Sequence, residues 1–292
     1  MPTAEELKAE FRPSASTVEI KAARDAEIRR IFLGRAEKLL LIIGPCSAHC
    51  PELTLEYVGQ LAEVASEAGD KILIVPRVYT AKARSASMGF MGLIHAGAGG
   101  LKAARRLHLD VLEQTGLSTA DELLYPALLP YFSDLVSYFA VGARSVLNQE
   151  HRLVASGLNL PVGMKNPLCG DLAAMQAAIC AAKSPQEFIF RDNFVKTGGN
   201  PLAHGVLRGG RAPNYRQAAE LDIPIIIDAS HGNSGKNPLK QREVILDVLK
   251  NRPKNLKGFM IESFFEGASI TDPCLNWPKT RDLICEIVEA LE

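Results

Sequence analysis

The sequence predicts an α/β protein, a (β/α)8 TIM barrel preceded by an N-terminal helical extension. Short apolar runs rich in β-branched residues alternate with longer stretches of helical period, the pattern that joins parallel strands through right-handed crossovers. Nearly every run meets a polar or charged residue at its end, as in barrel enzymes, whose sites are built from the C-terminal ends of strands. No Gly-x-Gly-x-x-Gly follows the first run, so an open doubly wound sheet is the weaker alternative. The chain of 292 residues suits one such barrel, which typically takes about 250.

Residues 1–38 are assigned to the extension and 39–292 to the barrel. A helix from Thr17 to about Lys38 precedes the first strand and therefore lies outside the barrel, as a cap or an oligomer contact. Candidate strands are residues 39–43, 71–75, 122–125, 138–142, 161–165, 187–190, 205–207, 224–228 and 258–262. Residues 51–68 begin with Pro51 in a first helical turn, carry Val58, Leu61, Ala62 and Ala65 on one face, and stop at Gly69. Residues 172–182, 241–250 and 279–291 repeat that helical period. The two candidate strands between 187 and 207 count as one strand interrupted by a hairpin, which leaves eight for the barrel.

Lysine plus arginine number 33 and aspartate plus glutamate 33, so the chain is formally neutral. That balance argues against a nucleic-acid or anionic-membrane binder, while a local basic cluster can still hold a small anion. No apolar run approaches the roughly 20 residues of a membrane helix. The acidic N-terminus lacks the apolar core of a signal peptide. Six cysteines scattered over the chain fit reduced thiols in a cytoplasmic protein better than a disulfide framework.

The chemistry gathers where strands end. Gly44-Pro45-Cys46-Ser47 follows the first strand, Arg77 the second and Gly142-Ala143-Arg144 the fourth, while Glu122 opens the third. Lys165 ends the fifth, Arg208-Gly209-Gly210 the sixth, Asp228-Ala229-Ser230-His231 the seventh and Glu262 the eighth. Cys46, His231, Glu262 and Asp272 make a mixture of soft and hard donors that suits one divalent transition ion, with manganese, iron, cobalt and zinc all compatible. Any one of the four alone is more often a core or surface residue; their meeting at strand ends favours a metal. Arg77, Arg144, Lys165 and Arg208 stand at strand ends too, and the loop after the second strand adds Lys82 and Arg84. Such a focus of cations in a neutral chain is unfavourable unless an anion balances it, and arginine forks match carboxylate and phosphate. The substrate is therefore a small molecule with several negative charges.

These segments, with Arg77-Val78-Tyr79, Asn148-Gln149-Glu150-His151-Arg152, Pro161-Val162-Gly163-Met164-Lys165-Asn166, Met260-Ile261-Glu262-Ser263 and Ser269-Ile270-Thr271-Asp272, carry a resemblance. From about Leu39 onward the chain resembles the type I 3-deoxy-D-arabino-heptulosonate 7-phosphate (DAHP) synthases, the metal-dependent transferases that begin the shikimate pathway. The resemblance implies condensation of phosphoenolpyruvate with erythrose 4-phosphate on a (β/α)8 barrel, in a homodimer or homotetramer. It implies Cys46, His231, Glu262 and Asp272 as metal ligands. It places Arg77, Lys82, Glu122, Arg144, Lys165 and Arg208 around phosphoenolpyruvate, and Lys82, Arg84 and Ser85 around the aldose phosphate. Lys82, Glu122 and His231 are the candidate catalytic residues, with Lys82 as proton donor to the new hydroxyl and Glu122 positioning water.

The chain departs from that family where the second substrate enters. Lys-Pro-Arg-Thr becomes Lys82-Ala83-Arg84-Ser85, and Gly-Trp-Lys-Gly becomes Gly89-Phe90-Met91-Gly92. A different aldose or aldose phosphate, or a catalytically silent binding subunit, are the alternatives these changes leave open. The N-terminal extension and the hairpin region at residues 195–201 look shorter than in feedback-regulated relatives, so weak or no inhibition by aromatic amino acids is expected.

Overall fold

Leu39–Gly44 (β1) buries every side chain, as a strand covered on both faces must. The computed structural model describes residues 1–84, 89–267 and 269–292. After β1 come Ile72–Pro76 (β2), Thr119–Glu122 (β3), Val136–Val141 (β4) and Val162–Lys165 (β5). Gln186–Phe190 (β6) and Asn193–Thr197 (β7) precede Ala203–Leu207 (β8), Ile225–Asp228 (β9) and Leu256–Glu262 (β10). Eight of these strands pair in parallel in the order β2-β1-β10-β9-β8-β5-β4-β3. The two ends of that order meet through a bridge between Arg77 and Ala120, where the Val78 N–H donates to the Ala120 carbonyl at 2.9 Å. The sheet is thus a nearly closed barrel.

Helices Ala4–Glu10 (α1) and Ala15–Phe32 (α2) precede the barrel, and Pro51–Glu67 (α3), Gly97–Thr115 (α4), Gln149–Ser156 (α5), Leu172–Lys183 (α6), Lys240–Asn251 (α7) and Trp277–Glu289 (α8) surround it. Two crossovers, Pro126–Tyr131 and Tyr215–Glu220, are short 3-10 turns instead. Along β1 the side chains alternate: Leu39, Leu41 and Ile43 pack outward among the helices, while Leu40 and Ile42 join Leu73, Val75, Val206 and Ile226 inside the barrel.

Three expectations need correction. The third strand is Thr119–Glu122, so Glu122 closes it rather than opening a strand over 122–125. Leu123 and Leu124 mimic a strand, but Pro126 opens the 3-10 turn, and the real strand reads polar because Thr119 and Asp121 bond to the buried His108. The segments at 187–190 and 205–207 are not one strand: β6 and β7 form a separate antiparallel hairpin, and only β8 enters the barrel. The exposed alternate positions of the hairpin, including Ile189 and Phe194, fit a ribbon standing off the core. Finally, α2 ends at Phe32 rather than near Lys38, because Gly34 takes a left-handed φ of 68°.

Ile28, Ile31 and Phe32 belong to the same buried cluster as Leu40, Ile42 and Tyr138 inside the barrel, and the Phe32 ring lies 4.1 Å from that of His204. His204 is fully buried, and burial pushes its pKa down to about 3. Its Nδ1–H donates to the Leu202 carbonyl at 2.9 Å, which leaves Nε2 to accept from the Tyr138 hydroxyl at 2.8 Å. The folded chain therefore binds fewer protons here than the unfolded chain below pH 6.5, the ordinary histidine value. Stability should fall as pH drops from there toward 3, by up to about 1.4 kcal/mol per pH unit from this group. Tyr138→Phe should cost a further ~1–3 kcal/mol at neutral pH by orphaning Nε2. Urea unfolding of both proteins across that pH range measures the two effects.

Candidate active site at the barrel rim

The loop after β1 puts Cys46 in full burial behind Gly44-Pro45. Its Sγ accepts from Lys82 Nζ at 2.6 Å, and its S–H donates to Asp272 Oδ2 at 3.1 Å. Burial pushes the thiol up to about 11. Burial also weighs against the Lys82 ammonium, but Cys46 and Glu262 beside it raise its pKa. Lys82 is therefore positive at neutral pH, and its Nζ also lies 3.5 Å from Asp272 Oδ2.

Glu262, the last residue of β10, is buried and held from several sides. Arg77 Nη2 lies 3.0 Å from Oε1, the Ser230 hydroxyl donates to Oε2 at 2.9 Å, and His231 Nε2 is 3.7 Å from Oε1. Burial alone would raise this carboxyl, yet His231, Arg77 and Lys82 bring it down to about 2. The Gln241 side chain on α7 both donates to the Glu262 carbonyl and accepts from its N–H, each at 2.9 Å. This clamp fixes the strand end from outside the barrel.

His231 has a φ of 45°, a region sparsely used by residues other than glycine. What holds it there is Asp228, fully buried at the end of β9. The carboxylate lies 2.9 Å from His231 Nδ1 and accepts from Lys165 Nζ at 2.9 Å and from the Ser230 N–H at 3.1 Å. Burial opposes its charge, but His231 and Lys165 carry its pKa far below the usual carboxylate range. One buried anion thus orients an imidazole at one side of the site and an ammonium at the other.

The open space of the rim is a cleft lined by Arg77, Lys82, Arg144, Lys165 and Arg208 together with Glu122 and His231. Burial and the neighbouring Arg144 disfavour the Arg208 charge, so an anion entering the cleft relieves strain that is already present. The Arg208 N–H donates to Asn166 Oδ1 at 2.9 Å. Gly209 follows with a φ of 73°, and a Cβ there would stand 2.4 Å from the Asn233 nitrogen, so only glycine lets the turns after β8 and β9 meet. Across the cleft Glu122 packs on Gly142, where a Cβ would stand 2.2 Å from Oε1.

Most residues expected at the site are brought together, and some are not. Arg77 is 2% exposed and already donates to the Pro45 carbonyl at 2.8 Å, with its guanidinium 3.8 Å over the Tyr79 ring. Arg84 turns back on its own loop, donating to the Phe90 carbonyl at 3.1 Å, and is not among the cleft's lining residues. Ser85 lies outside the described residues. The four expected metal ligands do not close into one set: among the described residues no three His, Cys, Asp or Glu side chains are grouped tightly enough to grip an ion. Cys46 pairs with Asp272 and His231 faces Glu262. Lys82 engages Cys46 and Asp272, while Arg77 engages Glu262. In type the donors still fit a divalent transition ion, and the buried Oε1 of Glu262 receives no directed hydrogen bond.

Asp228, Gln241 and Asp121 were assigned no part from the sequence. Asp228 was legible in principle, since it stands at a strand end three residues before His231; Gln241 had no signal, because its contact crosses from a helix to a strand end.

A parallel eight-stranded barrel with a buried thiol, an imidazole and carboxylates beside a cation-lined cleft defines an enzyme of small, polyanionic substrates. The DAHP synthetase I family matches residues 15–274, and the chain belongs to that family of transferases. It is 36% identical over 331 residues to the Tyr-sensitive phospho-2-dehydro-3-deoxyheptonate aldolase of Escherichia coli K12, covering 99% of this chain and 92% of that one. The Trp-sensitive enzyme of Enterobacter agglomerans is 34% identical, with 98% of this chain and 93% of that one covered. A phospho-2-dehydro-3-deoxyheptonate aldolase structure from Francisella tularensis SCHU S4 superposes with a TM-score of 0.90 at 30% identity, covering 99% of this chain and 96% of that chain.

Proposed function

We propose that this chain condenses phosphoenolpyruvate with erythrose 4-phosphate and water to give DAHP and phosphate, using one divalent metal ion held by Cys46, His231, Glu262 and Asp272. The observation that carries the reading is the convergence of five cations on one cleft with Glu122 and His231, next to the Cys46–Asp272 and His231–Glu262 pairs. Arg144 and Arg208 hold the phosphoryl group, and Lys165 and Arg77 the carboxylate, which orients carbon 3 toward the aldehyde. Cys46, His231, Glu262 and Asp272 would hold the divalent ion, which would supply Lewis-acid polarisation of that aldehyde. As the new C–C bond forms, the Lys82 ammonium gives a proton to the oxygen that becomes a hydroxyl. Glu122 positions the water that adds at carbon 2, and phosphate then leaves by C–O cleavage.

A different aldose phosphate is the second reading, favoured by Ala83, Phe90 and Met91 in the entry loop and by Arg84 bonding to Phe90 rather than lining the cleft. We also infer activity without aromatic feedback, from the hairpin region at residues 195–201 that the family resemblance reads as shortened, in a cytoplasmic homodimer or homotetramer. Phosphate release should require both substrates, stop with a chelator and return with manganese, and stay unchanged when tyrosine, phenylalanine or tryptophan is added. Release with other aldose phosphates but not with erythrose 4-phosphate favours the second reading, and micromolar inhibition removes the regulatory one.

A further inference from the structure

The two edge strands of the barrel, β2 and β3, share only the short bridge at Arg77 and Ala120, and both Lys82 and Glu122 leave the barrel beside that seam. Asp121, 3% exposed, sits at the seam with four donors on its carboxylate. Oδ1 accepts from the Thr80 N–H at 3.0 Å and the Glu122 N–H at 2.7 Å. Oδ2 accepts from the Thr80 hydroxyl at 2.6 Å and lies 3.1 Å from His108 Nε2. Behind it, His108 Nδ1 is 2.8 Å from the Thr119 hydroxyl, so the imidazole is held at both nitrogens and fully buried.

Thr80 roots the ribbon that presents Lys82. The Ile94 N–H donates to the Thr80 carbonyl, Ala81 bridges Gly92, and the Lys82 N–H donates to the Met91 carbonyl at 2.9 Å. One carboxylate therefore grips the start of the Lys82 ribbon and the backbone of Glu122 at once. We propose that Asp121 is a positioning residue that keeps Lys82 and Glu122 in register across the barrel seam, with His108 bracing it from α4. The proposal rests on the reaction assigned above, in which those two side chains deliver a proton and place a water.

Chemistry separates this role from simple packing. Asp121→Ala removes the acceptor of the buried Thr80 N–H and the half-buried Glu122 N–H, whereas Asp121→Asn keeps an acceptor oxygen for both and turns its NH2 toward the Thr80 hydroxyl. In the metal-loaded full chain, Asp121→Ala should lower kcat on the order of 100-fold with little change in the KM for phosphoenolpyruvate, and Asp121→Asn should restore most of it. Amide hydrogen exchange at Lys82 and Ile94 should accelerate in Asp121→Ala and return toward normal in Asp121→Asn. Should Asp121→Ala fail to fold, Thr80→Val takes its place, with Thr80→Ser as the variant that restores kcat. An unchanged kcat, or unchanged exchange at both amides, overturns the positioning role. If the wild-type chain itself releases no phosphate from the two substrates, the assigned reaction falls, while the exchange measurement still decides what Asp121 does.

Discussion

Asp228→Asn should destabilise the fold by about 3–5 kcal/mol, because it removes the fully buried anion paired with the Lys165 ammonium and with His231 Nδ1. The same change should remove most activity. Asp228 holds His231 in a backbone conformation that a histidine seldom takes, and an asparagine does not supply the charge that balances the ammonium. Urea denaturation gives the stability loss, and phosphate release from the folded fraction gives the activity loss. A variant as stable as the parent would show that water or a shifted Lys165 compensates the pair, and the description of Asp228 as the anion organising the rim would be wrong.

The second large effect is expected at Lys82. Its ammonium touches the Cys46 sulfur and Asp272 and lines the cleft. In the proposed role of Lys82 as proton donor to the new hydroxyl, its replacement by methionine should cut kcat by about 10²–10⁴-fold, the usual worth of a positioned acid. The KM for phosphoenolpyruvate should change far less, since Arg144, Lys165 and Arg208 remain. Steady-state kinetics separates the two constants. A kcat kept while phosphoenolpyruvate affinity collapses would make Lys82 an anchor for the substrate and not an acid.

How much of this was legible in the sequence depends on what kind of contact made it. Cys46, Lys165, Arg208, His231 and Glu262 could be picked out because each stands at the end of an apolar run or within a few residues of it. The resemblance supplied roles for the same positions. The third strand was misread because hydropathy marks Leu123 and Leu124, whereas Thr119 and Asp121 are buried through hydrogen bonds to His108, a compensation invisible in a polar tetrapeptide. The hairpin at Gln186–Phe190 and Asn193–Thr197 was merged with a barrel strand because an exposed ribbon and a buried strand share β-rich residues. Arg84 looked like a cleft residue from its place in the loop, but its guanidinium satisfies a carbonyl of its own loop. The separation of the four expected metal ligands into two pairs was also beyond the sequence. Arg77 beside Glu262, and Lys82 beside Cys46 and Asp272, are contacts that spacing along the chain does not encode.

The most direct test is anomalous diffraction at the manganese edge from crystals of the chain grown with manganese and phosphoenolpyruvate. One peak bounded by Cys46, His231, Glu262 and Asp272, with the phosphoenolpyruvate anion against Arg144, Lys165 and Arg208, is the predicted result. A peak elsewhere, or phosphoenolpyruvate density outside that cleft, would contradict the account.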